Sequence, residues 1–580
     1  MESGLFEIRQ LPLSLPLIRK KVERFLSENG LRLDPVDYYA GIFQPEGDEM
    51  LAGGGLSGDV IKCVAVSNKM RDAQLSLTLF SHLISVASAN GCKSVKCFTK
   101  PENKQKFESL GFKLLAQAPE AILMENGNGL ANYCKYLSEK RRNGASGAIV
   151  MNANPFTLGH RWLIEQAAKQ VDNLYVIVVR EDVSLFKYAE RKAMIEAGCA
   201  DITNVTVCEG SSYAVSALSF PTYFLKKIDT ATDTQITLDL DLFARHIAPA
   251  LNISARFVGS EPTDALTNRY NELMKVLLPQ NGIDVKETER LQKDGIVVSA
   301  SALRKALSEG SFSRAAAMAC RESLPYILSM LATEALKDEL DTTPKPGLVD
   351  KNDNGAHTDM NHSLMMRSIE TLCPFFTRLS LLGWKESKPD INEIRLIGIE
   401  AEKAMLDATH GVNTHKGALF SMGLMLVSAA NTLQQKGEIR SERLQECVIR
   451  LAQQMPRPNG THGSEAKKRF GIRGALDIAC EGYEELFHNW LPYLRQHFTD
   501  QYAMHRTLLF IMTSLDDTNI YHRKGADAAA EVKLWAQEVL NDFSVDRLNT
   551  LNVKMISQNL SPGGAADMLA LTKFVCVITG

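Results

Sequence analysis

Residues 152 to 160 read Asn152-Ala153-Asn154-Pro155-Phe156-Thr157-Leu158-Gly159-His160, which places a hydroxyl, a glycine and an imidazole within four positions. The strand-like run Ala148–Met151 precedes this segment, and a helical pattern, His160–Lys169, follows it. In a doubly wound sheet, nucleotides bind at such a junction, where a strand ends and a helix begins. Free backbone N–H groups and the positive end of the helix dipole attract phosphate oxygens there. Gly159 permits close approach of the backbone, and Thr157 offers its hydroxyl. His160 can stabilise the charge that develops on an attacked α-phosphate. Taken alone, the motif also reads as a helix start with a capping threonine.

A second segment strengthens the nucleotide reading. Val298-Ser299-Ala300-Ser301-Ala302-Leu303-Arg304 follows the strand-like Ile296–Val298 and opens another helix. Ser299 suits an N-cap. Ser301 suits a phosphate contact, and Arg304 a clamp on leaving pyrophosphate. Downstream, short polar clusters recur between helices: Pro344–Asp350, Gly355–Met360, Thr409–Gly417, Thr461–Gly463, Asp517–Asn519 with His522-Arg523, and Ser561–Asp567. Glycine for close approach, a base, and a carboxylate for Mg²⁺ are what a phosphate-and-metal site in a helical bundle requires. Each cluster is also what helix caps and turns look like. Zinc is not indicated, because His410 and His415 miss the i, i+4 spacing and no H-E-x-x-H occurs.

The elements that must position these residues fall into three regions. Residues 1–125 alternate strands (Ile61–Val66, Ser94–Phe98) with helices (Leu75–Ala89). Gly127-Asn128-Gly129 and the charged Glu139–Arg142 run read as a linker. Residues 140–320 carry unbroken apolar runs, Leu174–Val179 and Ala255–Val258, of the kind that parallel strands covered on both faces show. A doubly wound α/β domain is expected there. From 325 to 580 strand signals nearly vanish, and helical patterns dominate: Leu324–Leu340, Ser363–Leu382, Ile394–Ala408, Gly417–Leu433 and Arg443–Met455.

Composition sets outer bounds. The 580 residues exceed one core, and 45% hydrophobic with 23% charged residues is ordinary globular usage. A net charge of −3 argues against a general nucleic-acid binder. The eleven cysteines form no C-x-x-C pair, which suits reduced thiols in the cytoplasm. No signal-peptide pattern and no membrane-length apolar run is present.

The two phosphate motifs together resemble the nucleotidyltransferase superfamily with (H/T)-x-G-H and I-S-S-T-x-x-R signatures. The segment NANPFTLGH, with Arg180–Phe186 and Arg191 after it, is very close to the citrate lyase ligase family. That resemblance covers nearly the first 320 residues and implies an acetyltransferase-like (GNAT) domain in front of the adenylylating one. It implies that ATP activates acetate as acetyl-adenylate, with Asn152, Asn154, Gly159, Arg191, Ser299 and Ser301 on ATP and Thr157, His160 and Arg304 catalytic. The acetyl group then passes to a prosthetic-group thiol on the acyl-carrier subunit of citrate lyase. Arg71 is the candidate contact for a CoA-like group, although Arg71-Asp72-Ala73-Gln74 lacks the glycines usual at that turn.

Taken in order, PKPGLVD, GAHTDM, ATHGVNTHKG, THG, DTN with HR, and SPGGAADMLALT look like the triphosphoribosyl-dephospho-CoA synthase family, over residues 325–580. The resemblance implies attack of dephospho-CoA on the C1′ of ATP with loss of adenine. Lys345, Lys416, Arg523, Ser561 and Gly563 would then hold phosphates. Asp350 and Asp359 would serve Mg²⁺, Glu402 would stabilise cationic charge, and His415 would be the general base. Where the family reads G-A-R-G-E-A, the segment Gly474–Ala479 lacks the arginine and glutamate, and Lys524 stands where a glycine is common. Competing readings are a synthase serving malonate decarboxylase, a non-catalytic N-terminal module that docks the carrier, and a phosphopantetheine adenylyltransferase-like middle domain.

Overall fold

The computed structural model describes residues 6–45, 47–67, 73–180, 184–213, 231–261, 264–293, 295–457 and 468–580. It separates into two compact units. The first comprises Met1–Asn154 and Gly159–Val297, and the second Pro155–Leu158 and Val298–Gly580. The first two regions expected from sequence thus share one unit, and Val298–Cys320, expected with the middle domain, packs within the second.

The first unit holds a seven-stranded sheet of order β1-β2-β3-β4-β5-β7-β6. Its strands are β1 (Glu7–Gln10), β2 (Tyr38–Phe43), β3 (Met50–Ser57), β4 (Val60–Val66), β5 (Val95–Thr99), β6 (Lys113–Gln117) and β7 (Ile122–Asn126). Its pairings are antiparallel except between β4 and β5, which are parallel and joined through the helix Ala73–Ala89. Leu75, Leu79, Phe80 and Leu83 of that helix are buried with Ala40, Ile42 and Ile61 of the sheet.

A second sheet follows, composed of β8 (Ser146–Met151), β9 (Asn173–Val178), β10 (Val205–Cys208), β11 (Ile253–Gly259) and β12 (Asp284–Thr288). All its pairings are parallel, in the order β10-β9-β8-β11-β12. Every residue of β9 is buried, as its unbroken apolar run requires of a strand covered on both faces. The strand order reverses between β8 and β11, the usual crevice for a ligand in such sheets.

Two expectations change. The 127–142 segment contains the helix Gly129–Ser138, which buries Leu130 and Leu137. Its apolar residues recur at helical spacing, a stronger signal than the flanking glycines and charges. Ile296–Val297 pairs antiparallel with Gln292–Lys293 and lies outside the parallel sheet. Gly295, with φ +75°, allows that tight hairpin.

Among its described residues the second unit has helices and no strand apart from the bridge between Thr157 and Ala319. The helix Lys416–Lys436 is buried almost throughout from Ala418 to Leu433, as expected of a helix apolar on all sides. The helices Leu324–Asp341, His362–Lys385, Ile391–Ala408 and Gly563–Ile578 pack around it. All eleven cysteines are free thiols. Among the described residues no helix is long and apolar enough to cross a membrane.

Candidate functional site

After β8 the chain turns through Asn152, Ala153 and Asn154 towards the helix Leu158–Ala168, whose first turn carries Gly159 and the half-buried His160. Ala153 is buried at φ +48°, a left-handed conformation that costs an L residue about 1–2 kcal/mol. Arg191 supports the turn from the helix Tyr188–Gly198. It is fully buried and donates to the carbonyls of Asn152 (2.8 Å), Val179 (2.9 Å) and Phe186 (3.1 Å). The Phe186 N–H in turn donates to Asn154 Oδ1 at 3.1 Å. Expected on phosphate, Arg191 instead braces the loops after β8 and β9, because its sealed guanidinium is committed to backbone carbonyls. Asn152 Nδ2 lies 3.4 Å from Ser184 Oγ, and its buried Oδ1 has no hydrogen-bond partner. A buried acceptor left unpaired is costly, and a bound donor would relieve it.

In the second unit, Thr157 is buried in its bridge with Ala319. The Phe156 carbonyl accepts from Ser323 Oγ at 2.8 Å. Ser299 caps the helix Ala300–Ser308, its Oγ accepting from Ala302 N at 3.1 Å and lying 3.1 Å from Ser301 Oγ. Ser301 is exposed and Arg304 is partly exposed.

Further along, folding joins polar clusters that are far apart in sequence. His357 Nε2 lies 2.8 Å from Ser561 Oγ, and its Nδ1 lies 3.4 Å from an Arg523 nitrogen and 3.8 Å from Asp359. Arg523 also donates to the Ala356 carbonyl and to Asn559 Oδ1, both at 3.0 Å. Burial first, and the Arg523 charge second, hold the His357 pKa below its ordinary value. The ring is therefore neutral at neutral pH. Asp517, buried, accepts from Asn519 N and Ala565 N at 2.9 Å each, joining the start of the helix Thr518–Lys524 to that of Gly563–Ile578. Gly563 packs on Asn519: a Cβ there would lie 2.8 Å from its Nδ2.

A buried charged cluster lies in the same unit. Lys345 is 1% exposed and its Nζ meets Glu339 Oε1 at 2.5 Å. His415 is 3% exposed; its Nδ1 lies 2.8 Å from Ser368 Oγ, which also accepts from Thr414 Oγ1 at 2.7 Å. Its Nε2 is buried and has no partner. Burial, and then the Lys345 charge, push the His415 pKa down to about 3. Asp567 packs against the start of the helix Lys416–Lys436, where a Cβ on Gly417 would fall 2.0 Å from its Oδ2. Burial, then Glu339 and Asp517, raise the Asp567 pKa well above the carboxylate range. Lys416 and Glu402 form a partly exposed ion pair at 2.6 Å.

Asp350 does not suit a metal. Its oxygens accept from the N–H groups of Lys345 (2.9 Å), Asn352 (2.7 Å) and Asp353 (3.1 Å), which fixes the loop. Asp359 is mostly exposed. Among the described residues no group of three or more His, Cys, Asp or Glu side chains is arranged to hold a metal ion. Arg71 and Thr461-His462-Gly463 lie outside the described residues.

Glu339, Ser368, His357 and Asp567 were missed as site candidates by sequence reasoning. His357 and Asp567 stand inside the quoted clusters, whereas Glu339 and Ser368 lie on helices and carry no local signal. Three residues upstream of the position where the G-A-R-G-E-A pattern has arginine, Arg473 pairs with Glu481 at 2.7 Å.

Comparison with known proteins divides the chain near residue 326, inside the second compact unit. Residues 146–327 match the citrate lyase ligase C-terminal domain, and residues 326–579 match ATP:dephospho-CoA triphosphoribosyl transferase. The chain is 41% identical over 323 residues to the citrate (pro-3S)-lyase ligase of Klebsiella pneumoniae, covering 54% of this chain and 94% of that protein. It is 38% identical over 268 residues to a probable 2-(5''-triphosphoribosyl)-3'-dephosphocoenzyme-A synthase of Pectobacterium carotovorum, covering 43% of this chain and 88% of that protein. A probable synthase of the same name from Streptococcus mutans is 36% identical over 279 residues, covering 43% and 94%. Among solved structures, the NadR protein in complex with NAD and AMP-PNP matches with a TM-score of 0.24 and 11% identity, covering 59% of this chain and 96% of that one.

Proposed function

We infer that this chain, which belongs to the citrate lyase ligase family through residues 146–327 and to the ATP:dephospho-CoA triphosphoribosyl transferase family through residues 326–579, is a bifunctional enzyme that matures and activates citrate lyase. The observation that carries this reading is the pair of near full-length matches, 94% of a ligase and 88% of a synthase, within one polypeptide. One half makes the precursor of a prosthetic group, and the other acetylates the thiol of that group once it is mounted on the acyl carrier.

In the ligase half, an acetate oxygen attacks the α-phosphorus of ATP, and pyrophosphate leaves. The carrier thiolate then attacks the acyl carbon of the acetyl-adenylate, and AMP leaves. We assign His160 to the charge developing on the α-phosphate and Arg304 to the departing pyrophosphate. We also assign Asn154, Gly159, Thr157, Ser299 and Ser301 to ATP, with the unpaired Asn152 Oδ1 as an acceptor for a substrate donor. The strand order of the parallel sheet, with β8 and β11 at its centre, supports an H-x-G-H-type nucleotidyltransferase domain over 140–320. The single β4–β5 parallel pair supports a GNAT-like domain over 1–125, with Arg71 as its candidate contact to a CoA-like group.

In the synthase half, over 325–580, the 2′-hydroxyl of dephospho-CoA attacks C1′ of ATP, the glycosidic bond breaks, and adenine leaves. We assign to the neutral His415 the acceptance of the hydroxyl proton on its unpaired Nε2, which substrate binding would have to open, and the triphosphate's charge would raise its low basicity. Arg523, His357, Ser561 and Gly563 form the phosphate end, together with Lys416. Glu402 stands beside Lys416 for cationic charge at the sugar. Lys345 is held by Glu339 and sets the field at His415 rather than meeting phosphate directly. Mg²⁺ would arrive with ATP, since Asp350 is committed to its loop and Asp359 alone makes no site. Free thiols throughout suit a cytoplasmic setting.

Incubating the purified chain with MgATP tests both halves. Adenine should appear on chromatography only when dephospho-CoA is present, and labelled pyrophosphate should exchange into ATP only with acetate. Absence of the first rejects the synthase role, and absence of the second rejects the ligase role.

A further inference from the structure

A cavity of about 530 Å³ in the first unit is used by neither reaction site above. It lies at the carboxyl ends of β9 and β10, and its lining includes Lys93, Tyr133, Tyr136, Arg180, Glu209 and Ser212. Its volume is in the range of small-molecule and cofactor sites.

Its position follows from strand register. Met151 of β8 pairs with Val178 of β9, and Cys208 of β10 pairs with Ile177. With neighbouring strands about 4.8 Å apart, the loop after β10 is roughly 10 Å from the Asn152 turn. Arg191 ties that turn to the Val179 carbonyl, one residue before Arg180. The cavity is therefore on the same edge of the parallel sheet as the adenylylation motif, displaced from the β8–β11 crevice where ATP is expected.

Its walls are held firmly. Tyr133 Oη donates to the Glu209 carbonyl at 2.9 Å, and the Glu209 N–H donates to Tyr136 Oη at 3.1 Å. Both phenols are thus pinned to the backbone of one residue, with their rings stacked at 6.1 Å and 22°. Lys96, 3% exposed, braces two lining residues from behind: its Nζ donates to the Ser212 carbonyl at 2.6 Å and meets Asp59 at 3.0 Å.

The charges do not balance. Asp59 is paired with Lys96, and Glu209 lies 3.7 Å from Lys192. Lys93 and Arg180 are exposed and have no carboxylate partner among the described residues; Arg180 is placed over the Tyr188 ring at 5.6 Å. Two cations without a carboxylate partner among the described residues, beside a fixed aromatic pair, suit a ligand with phosphate at one end and a flat ring at the other.

We propose that this cavity seats the adenine nucleotide end of the carrier-bound prosthetic group, with Arg180 and Lys93 on its phosphates and the Tyr133–Tyr136 pair against its base. The proposal rests on the ligase reading above and adds where the acyl acceptor docks, in this cavity instead of at the Arg71 turn. From there the thiol arm runs towards the acetyl-adenylate, where the sulfur–acyl bond forms and the acyl–phosphate bond breaks.

Calorimetric titration of the full chain with dephospho-CoA tests this. The wild type should bind two equivalents, one in the synthase half and one in this cavity. Arg180→Glu combined with Lys93→Glu should weaken one of them roughly 100-fold, the loss for two charged phosphate contacts. Arg180→Lys alone should retain both sites. Both side chains are exposed, and thermal melting checks that the double variant is folded. One equivalent in the wild type, or two undiminished in the double variant, overturns the proposal. So does a raised Michaelis constant for ATP in acetate-dependent exchange, which would place ATP in the cavity. Failure of the ligase reading would show separately, as absence of that exchange in the wild type.

Discussion

His415 shows how one buried side chain couples chemistry to stability. Its pKa is about 3 in the folded chain, against about 6.5 for an unperturbed histidine. The unfolded state therefore binds more protons below pH 6.5, so stability is fully present above that value and is lost as pH falls towards 3. The loss approaches about 1.4 kcal/mol per pH unit once the unfolded histidine is protonated. Thermal melts between pH 7 and 5 should show a steeper fall for the wild type than for His415→Gln; parallel curves would show that His415 does not titrate in this way. A histidine in a polar interhelical cluster was legible in sequence as a candidate base. Its sealed Nε2 and the neighbouring Lys345 were not, because burial depends on helices that the local pattern does not place. Arg191 makes the same point in reverse. It stands beside a nucleotide motif in sequence, yet the fold turns it inward onto three carbonyls.

At the level of elements, helix crossings depend on what fits between backbones. Gly383, in the helix His362–Lys385, faces Val427 of the helix Lys416–Lys436, and a Cβ there would lie 2.3 Å from the Val427 carbonyl oxygen. Asn431 reinforces the crossing by donating to the carbonyls of Gly383 (3.2 Å) and Glu386 (2.7 Å). Gly383→Ala should cost about 1–3 kcal/mol through overpacking and lower the melting temperature. Gly398, in the helix Ile391–Ala408, has nothing within 4 Å of such a Cβ. There, alanine should stabilise by up to about 1 kcal/mol through helix propensity. Melting of both variants tests the opposite signs, and a shared sign would refute the packing account. The helices themselves were legible: Leu324–Asp341 and Lys416–Lys436 start and end within three residues of the apolar periodicity that announces them. The two-residue strand Ile296–Val297 was legible as extended chain, but its hairpin partner was not.

On the scale of the whole molecule, the compact units do not follow the motif boundaries. The chain enters the second unit at Pro155, returns to the first at Gly159 inside the T-x-G-H segment, and crosses again at Val298, just before the S-x-S-x-x-R segment. A chain ending at Val297 lacks Ser299, Ser301 and Arg304 and is expected to lose acetate-dependent exchange. A fragment beginning at Val298 retains the helical core and should still release adenine with dephospho-CoA. Exchange persisting in the first fragment would remove Arg304 from the adenylylation chemistry. Sequence alone determined the α/β and all-helical regions, both phosphate motifs and both family resemblances, because periodicity and motif spacing are properties of a few consecutive residues. Tertiary structure decided which polar groups meet: His357 reaches Ser561 across 204 positions and Arg523 across 166. Contacts over such separations arise only when helices pack, and packing also decides which charges are buried, paired or left to receive a substrate.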